Sequence, residues 1–359
     1  MADQQQTAGG EGQPGLSKPV DLSSPYDPET ISGKTILITG GASGLGAAFA
    51  KAWALHGANV IIGDVDDGAG EALVADLRAT TKSEHHHYQH CDVTDWQSQV
   101  ALFKTAVDVS PTGGIDVVVP NAGIGHDGAA GPGSFEDPAN LDAEHPGPPK
   151  FKVFDVNLVG AAYTIHLALF WLQKNEPGRD RHILLIGSIA GIMPLVGSAQ
   201  YTASKHAITG LFRCLRGTSF RKGIRVNMLC PYFVDTKILA NVVMLFLAGG
   251  GLAELEDVVD AGTRLVADKE IYGRALVVGP RMVVEDGEDG ETKLVEIPND
   301  GETGTPIWDC YAHDYLAVQA FVYRYTRLLV GIAKVRGWFG WLTDVSWILF
   351  KRRPQEQQK

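Results

Sequence analysis

Tyr201 and Lys205 stand four residues apart in the run QYTASKHA, and Ser188 precedes Tyr201 by 13 residues. On a helix this i,i+4 spacing puts a phenol and an ammonium on one face. A phenol titrates at about pH 10, high for proton transfer at neutrality, and a neighbouring ammonium favours the phenolate form. A serine hydroxyl nearby can hold a carbonyl or alcohol oxygen while the phenol moves its proton. The plain alternative is an ordinary surface pair, because Tyr-xxx-Lys alone is a weak pattern. Here it occurs once among ten tyrosines, and it follows a strand-terminal Ser.

A second group suits a dinucleotide. Thr39-Gly-Gly-Ala-Ser-Gly-Leu-Gly46 lies between the apolar run Thr35–Thr39 and a helical pattern from Ala47 to His56. Glycines at 40, 44 and 46 let backbone N–H groups approach a pyrophosphate, and the helix start that follows favours negative charge. A plain tight turn is the bland reading. Asp64 comes 18 residues after Gly46, at the end of the next apolar run. A carboxylate there accepts hydrogen bonds from a ribose 2′-OH and repels a 2′-phosphate. Ser43, inside the loop, offers no cation to such a phosphate, so the expected cofactor is NAD rather than NADP.

These groups need a scaffold that brings strand ends together. Apolar runs at 35–39, 59–64, 116–120, 182–187, 224–229 and 275–278 alternate with helical patterns. Continuous apolar strands between helices predict a parallel sheet covered on both faces. The expected class is α/β, a Rossmann-type doubly wound sheet in a single domain with a C-terminal extension. Residues 1–30, rich in Gln, Gly, Pro and Ser, read as a flexible tail, 31–282 as the sheet domain and 283–359 as the extension.

Composition narrows the partners. The 359 residues carry 31 Lys+Arg against 42 Asp+Glu, a net charge of −11 that argues against nucleic acid. Four cysteines without a CxxC pair exclude a disulfide scaffold and a zinc ribbon and fit a reducing compartment. The first residues show no apolar signal segment, so a cytoplasmic location is expected. His85, His86, His87 and His90 invite a metal reading, but alternate residues of a strand face opposite sides, so a solvated strand and no metal are expected.

From residue 31 to about 280 the chain resembles the short-chain dehydrogenase/reductase family. TGGASGLG is similar to the family's cofactor loop, so Gly40, Ser43, Gly44, Leu45 and Gly46 are implied cofactor contacts. Asn121-Ala122-Gly123 resembles its NAG motif, and Asp92 and Val93 match the pair that flanks the adenine. Ser188, Tyr201 and Lys205 match the active-site triad, and Asn157 matches the residue that supports a water-linked proton relay to the lysine. Tyr201 and Lys205 are implied cofactor neighbours too, with Pro231, Val234 and Thr236. The resemblance implies hydride transfer between a nicotinamide and a carbonyl or alcohol carbon, and homodimers or homotetramers. One departure is Tyr232, where the family commonly has Gly after Pro231. The spelling of VVPNAG and PYFVDTKI is most similar to the 15-hydroxyprostaglandin-dehydrogenase-like branch and its fungal secondary-metabolism relatives.

The run Ile238–Ala248 matches the family's substrate lid, and its apolar character suggests a lipophilic alcohol or ketone. Packing on the core is the competing reading. Residues 126–150 form a long Gly/Pro loop of a kind that is usually functional or disordered; His126 reads as a loop residue that could line the pocket. MVVEDGEDGETKLVEIP predicts a hairpin, and Tyr311 to about Val335 a helix. Residues 337–353 combine tryptophans, apolar residues and a basic cluster, which suits either peripheral membrane contact or a tail packed on the protein. Two other readings stay open. One is a cofactor-binding regulator or scaffold without turnover, and the other a membrane-peripheral reductase using NADPH.

Overall fold

The computed structural model describes residues 15–126, 134–176, 178–234, 251–286, 292–296 and 303–311. Beyond these it describes Leu328, Gly331, Ile332, Val335, Gly337 and Trp338. The chain forms two compact units, Gly15–Ala312 and a second made of Met1–Pro14 with His313–Lys359. In the second, the six described residues are helical, with Leu328, Ile332, Val335 and Trp338 exposed. Tyr311, the expected start of that helix, is instead a non-helical residue with φ +56° directly after a strand; the rest of the expected helix and of the 337–353 segment lies outside the described residues.

In the first unit, β1 (Thr35–Thr39), β2 (Asn59–Asp64), β3 (His87–His90), β4 (Val117–Pro120), β5 (His182–Ile186), β6 (Arg225–Pro231) and β7 (Ala275–Asp286) form a parallel sheet in the order 3-2-1-4-5-6-7. The order reverses beside β1, so the crevice at the carboxyl ends of β1 and β4 is where such a sheet takes a ligand. β1 and β4 are buried along their whole length, which is why they read as unbroken apolar runs.

Helices α1 (Gly44–Leu55), α2 (Asp67–Thr81) and α7 (Leu255–Ala267) cover one face around Phe49, Trp53, Leu73 and Leu265. On the other face lie α3 (Trp96–Val109), α5 (Ala161–Trp171) and α6 (Ala199–Arg216), around Phe103, Ile165, Ala168 and Phe212. Between β4 and α5 the chain makes a short α4 (Lys152–Phe154) and a π-turn over Asp155–Gly160. The run Lys152–Lys174 is long and apolar enough to cross a membrane by composition, with mean hydropathy 1.5, but in this fold it flanks the sheet against α3, β4 and α6.

Three expectations change. Residues 15–30 are not loose: Val20 N–H reaches Asp309 Oδ2 at 2.9 Å, Tyr26 Oη reaches Asp260 Oδ1 at 2.6 Å, and Arg264 holds the Ser24 carbonyl at 2.8 Å. Long-range polar contacts order a segment whose own apolar content is low. The 282/283 division falls inside β7, which continues into the expected hairpin with β8 (Thr292–Glu296); β9 (Thr305–Cys310) returns to pair antiparallel along Ala275–Val278. Finally, His86 is buried rather than solvated, its Nε2 2.9 Å from Thr81 Oγ1, and burial pushes its pKa down to about 4. Among the described residues no cluster could hold a metal.

Candidate active site

The glycine loop turns where a side chain would collide. Gly40 has φ +65°, and a Cβ there would stand 2.6 Å from Ala122 Cα. At Gly46 it would meet the Gly40 carbonyl at 2.3 Å and Asn121 Nδ2 at 2.6 Å. Asn121 stitches the two loops together, donating Nδ2–H to the Thr39 and Gly40 carbonyls at 3.0 and 2.8 Å. Ser43 is the N-cap of α1 without a side-chain cap bond. Helix-start N–H groups lacking an intrahelical acceptor therefore face the space that Ser43, Gly44 and Leu45 line.

Asp64 closes this end. Its Oδ2 accepts the Ala42 N–H at 2.9 Å and its Oδ1 the Asp66 N–H at 3.1 Å. Asp67 stands behind, accepting Tyr88 Oη–H at 2.6 Å and contacting His90 Nδ1 at 2.8 Å, bonds that hold its carboxyl below the usual range. Asp92 spends its Oδ1 on Thr94 N and Oγ1 at 2.9 and 2.8 Å, while Val93 lies buried along the wall.

At the other end, Ser188 caps a short 3-10 turn over Ile189–Gly191. The Ala190 N–H donates to its Oγ at 3.1 Å, and the hydroxyl still carries a proton to donate. Lys205, 7% exposed, donates to the Ile186 carbonyl at 3.0 Å with Nζ 5.7 Å from the centre of the Tyr201 ring. Asn157 sits in the π-turn, a distortion common at functional sites. Its Oδ1 accepts Ile124 N–H at 2.8 Å, and its Nδ2 donates to the Ile124 carbonyl at 2.9 Å and to Ser204 Oγ at 3.3 Å. Ser204 in turn donates to the Tyr201 carbonyl at 2.7 Å.

One cavity of about 1400 Å³ joins the two ends, running from Gly40, Ser43, Gly44, Leu45 and Asp64 to Ser188, Tyr201 and Lys205. Asp92, Val93, Asn121, Ala122, Gly123, Pro231 and Val234 line it between them. Gly46 and Asn157 are not on its wall; they pack behind it, one under the loop and one under Ile124. Thr236 and the run 238–248 lie outside the described residues. The volume exceeds that of a drug-sized pocket and leaves room for a dinucleotide beside a substrate. The cradle left by the missing Cβ atoms, the open helix start and the Asp64 carboxylate on the cavity wall all fit a nicotinamide dinucleotide.

Sequence reasoning missed several lining residues. Val65, 60% exposed beside Asp64, adds an apolar surface to that end of the cavity. Its signal was an apolar residue just past the end of a buried strand. Phe135 and Glu136 line the wall near Tyr201, hinted at only by the length of the 126–150 loop, and Gln200 lines it from the residue directly before Tyr201. Tyr232 packs edge-on against Phe233 at 4.9 Å, both on the wall, while His126 also lines the cavity.

A family model described as short chain dehydrogenase matches residues 34–244. The chain is 38% identical over 291 residues to 5′-hydroxyaverantin dehydrogenase of Dothistroma septosporum, covering 75% of this chain and 92% of that protein. NADP-dependent dehydrogenase M3 of a Phoma species is 32% identical over 280 residues, 73% of this chain and 79% of that one. Mouse 15-hydroxyprostaglandin dehydrogenase [NAD(+)] is 32% identical over 214 residues, 59% and 72% of the two chains. Among solved structures, 3-ketoacyl-(acyl-carrier-protein) reductase from Brucella melitensis, complexed with NADH, aligns with TM-score 0.58 at 26% identity, over 69% of this chain and 97% of that one. With the family model spanning more than half its length, this chain belongs to the short-chain dehydrogenase family.

Proposed function

We propose that this chain is an NAD-dependent oxidoreductase that interconverts a secondary alcohol and a ketone on a lipophilic small molecule. The observation that carries the reading is the shared cavity, which Ser188, Tyr201 and Lys205 line together with the glycine loop and Asp64. When bound there, the nicotinamide supplies the hydride acceptor or donor.

The chain's own residues handle the oxygen and its proton. Ser188 Oγ–H holds the substrate oxygen, and Tyr201 Oη takes the alcohol proton in oxidation or returns it in reduction. The Lys205 ammonium, fixed by the Ile186 carbonyl, brings a positive charge to Tyr201, its Nζ 5.7 Å from the ring centre. Asn157 holds the Ile124 segment and, through Ser204, the α6 turn that carries Tyr201, placing it to support a proton path from Lys205. Asp64, on the cavity wall, disfavours a 2′-phosphate at the ribose end, which supports NAD although one relative is NADP-dependent by name. Phe135, Leu195, Tyr232 and Phe233 make the substrate side apolar. Two relatives are by name dehydrogenases of hydroxylated compounds. Membership of the short-chain dehydrogenase family supports a homodimer or homotetramer.

The test is turnover of a panel of lipophilic secondary alcohols with NAD by the wild type and Tyr201→Phe. Loss of at least roughly a hundredfold in kcat with NADH binding retained is expected for removing the acid/base. Undiminished turnover by the variant would overturn the assignment.

A further inference from the structure

The catalytic helix is capped from outside its own segment. Ser198, at the N-cap of α6, makes no side-chain cap bond. Instead the Ala199 N–H donates to Glu136 Oε1 at 2.7 Å. One residue on, Gln200, 7% exposed, donates Nε2–H to the Lys150 carbonyl at 2.7 Å. Both acceptors belong to the insertion between β4 and α4, at opposite ends of its limb 134–151. A row of rings stiffens that limb, Phe135 to Phe151 at 6.4 Å and Phe151 to Phe154 at 5.8 Å.

The geometry matters because of what comes next in each chain segment. Tyr201 directly follows the two anchored residues, and Phe135 directly precedes Glu136. Phe135, Glu136, Gln200 and Tyr201 all line the one cavity. On its other side the same helical turn is held by Thr202, whose Oγ1 accepts the Leu195 N–H at 3.3 Å, and Leu195 lines the cavity too. A carboxylate on a helix N-terminus is favoured by the helix dipole, and it satisfies one of the amides left without an intrahelical acceptor.

We propose that Glu136 and Gln200 are positioning residues, a two-point clamp that seats the 134–151 limb on the first turn of α6. It sets the separation between the Phe135 wall and the Tyr201 hydroxyl. Resting on the dehydrogenase reading above, the clamp selects substrates with a broad, flat apolar body beyond the reacting carbon, which an aromatic wall held at fixed spacing can grip. Compact alcohols gain little from it.

The test uses the full chain as wild type, Glu136→Ala, Glu136→Gln, Gln200→Ala and the Glu136→Ala/Gln200→Ala pair. The first readout needs no substrate. Trypsin cleavage after Lys150 requires release of the carbonyl that Gln200 holds, so cleavage is expected to speed several-fold in both alanine variants. Glu136→Gln keeps an acceptor oxygen and is expected to stay near wild type. The second readout is KM for a flat polycyclic secondary alcohol, expected to rise roughly three- to tenfold in each alanine variant, in line with loss of one helix-capping contact. The pair should be no worse than the poorer single variant, because either break releases the limb. KM for a short aliphatic alcohol and the NADH Kd should not move.

Wild-type cleavage rates in well-folded alanine variants would overturn the clamp. A parallel rise in the NADH Kd and in both KM values would overturn it as well, since that pattern marks general loosening of the fold. Absence of any turnover by the wild type would sink the dehydrogenase reading and the substrate role with it, while the cleavage rates would still decide whether the clamp exists.

Discussion

The Ala42 amide and the Asp64 carboxylate meet at 2.9 Å, joining the glycine loop to the end of β2. A single carboxylate thus braces the glycine loop from the cavity wall, where on the proposed reading it presents its charge to the ribose. Each of its oxygens accepts one backbone amide and retains a lone pair for a ribose hydroxyl.

Replacement of Asp64 by Ser is therefore expected to shift cofactor preference. The hydroxyl can still accept one bond, but the charge facing a 2′-phosphate is gone. NADH should bind about tenfold more weakly and NADPH more tightly, both read by fluorescence titration. A variant that keeps the wild-type ratio of the two dissociation constants would show that Asp64 does not read the ribose.

Gly46 tests the cradle from beneath. The methyl of Gly46→Ala would stand 2.3 Å from the Gly40 carbonyl, a backbone atom that yields only if the loop moves. Overpacking of this kind costs about 1–3 kcal/mol, visible as a lower Tm, and the displaced loop should weaken NADH binding at least several-fold. Unchanged binding would mean that the loop tolerates the shift and that its present shape is not required.

Ser204 joins Asn157 to the helix that carries Tyr201, and it is fully buried. Its replacement by Ala removes both bonds while Asn157 keeps its pair to Ile124. The stability cost should be about 1–2 kcal/mol. If the link positions the proton path, kcat should fall several-fold with the NADH Kd unchanged; a loss of Tm alone, with kcat intact, would reduce Ser204 to a packing residue.

What the chain announces about itself is uneven for a physical reason. The parallel α/β sheet and the glycine turn were legible because short-range chemistry spells them: β1 must be buried throughout and the turn after it must lack Cβ atoms, whereas the strand order was not legible. The Tyr201/Lys205 spacing is local in the same way. Glu136 capping Ala199 from 63 positions away was not legible, because no periodicity marks a contact made across a cavity. The same holds for residues 15–30, whose order depends on Asp260, Arg264 and Asp309 rather than on their own pattern. His86 misled because three neighbouring histidines look solvated, yet the fold turns one of them inward over Thr81.

That inward turn has a consequence for acid stability. His86, with its pKa pushed down to about 4 by burial and by the nearby Arg78 charge, stays neutral in the fold where an unfolded histidine takes up a proton at about pH 6.5. His182, fully buried beside Asn227, is likewise pushed well below the usual range by burial and by the Arg225 charge. Below pH 6.5 the unfolded chain therefore binds protons that the folded one refuses, so stability falls as pH drops from about 6.5 towards 4. Asp180, held far below the usual carboxylate range despite its burial by its Arg225 and Lys34 partners, adds a second loss only below about pH 3.8, where the unfolded carboxylate protonates first. The midpoint of urea unfolding should decline already between pH 7 and 5 in the wild type, and less steeply in His86→Gln, which cannot titrate. Parallel slopes in the two proteins would remove His86 from the acid response and leave it to the other histidines held down in the fold, His87 and His182.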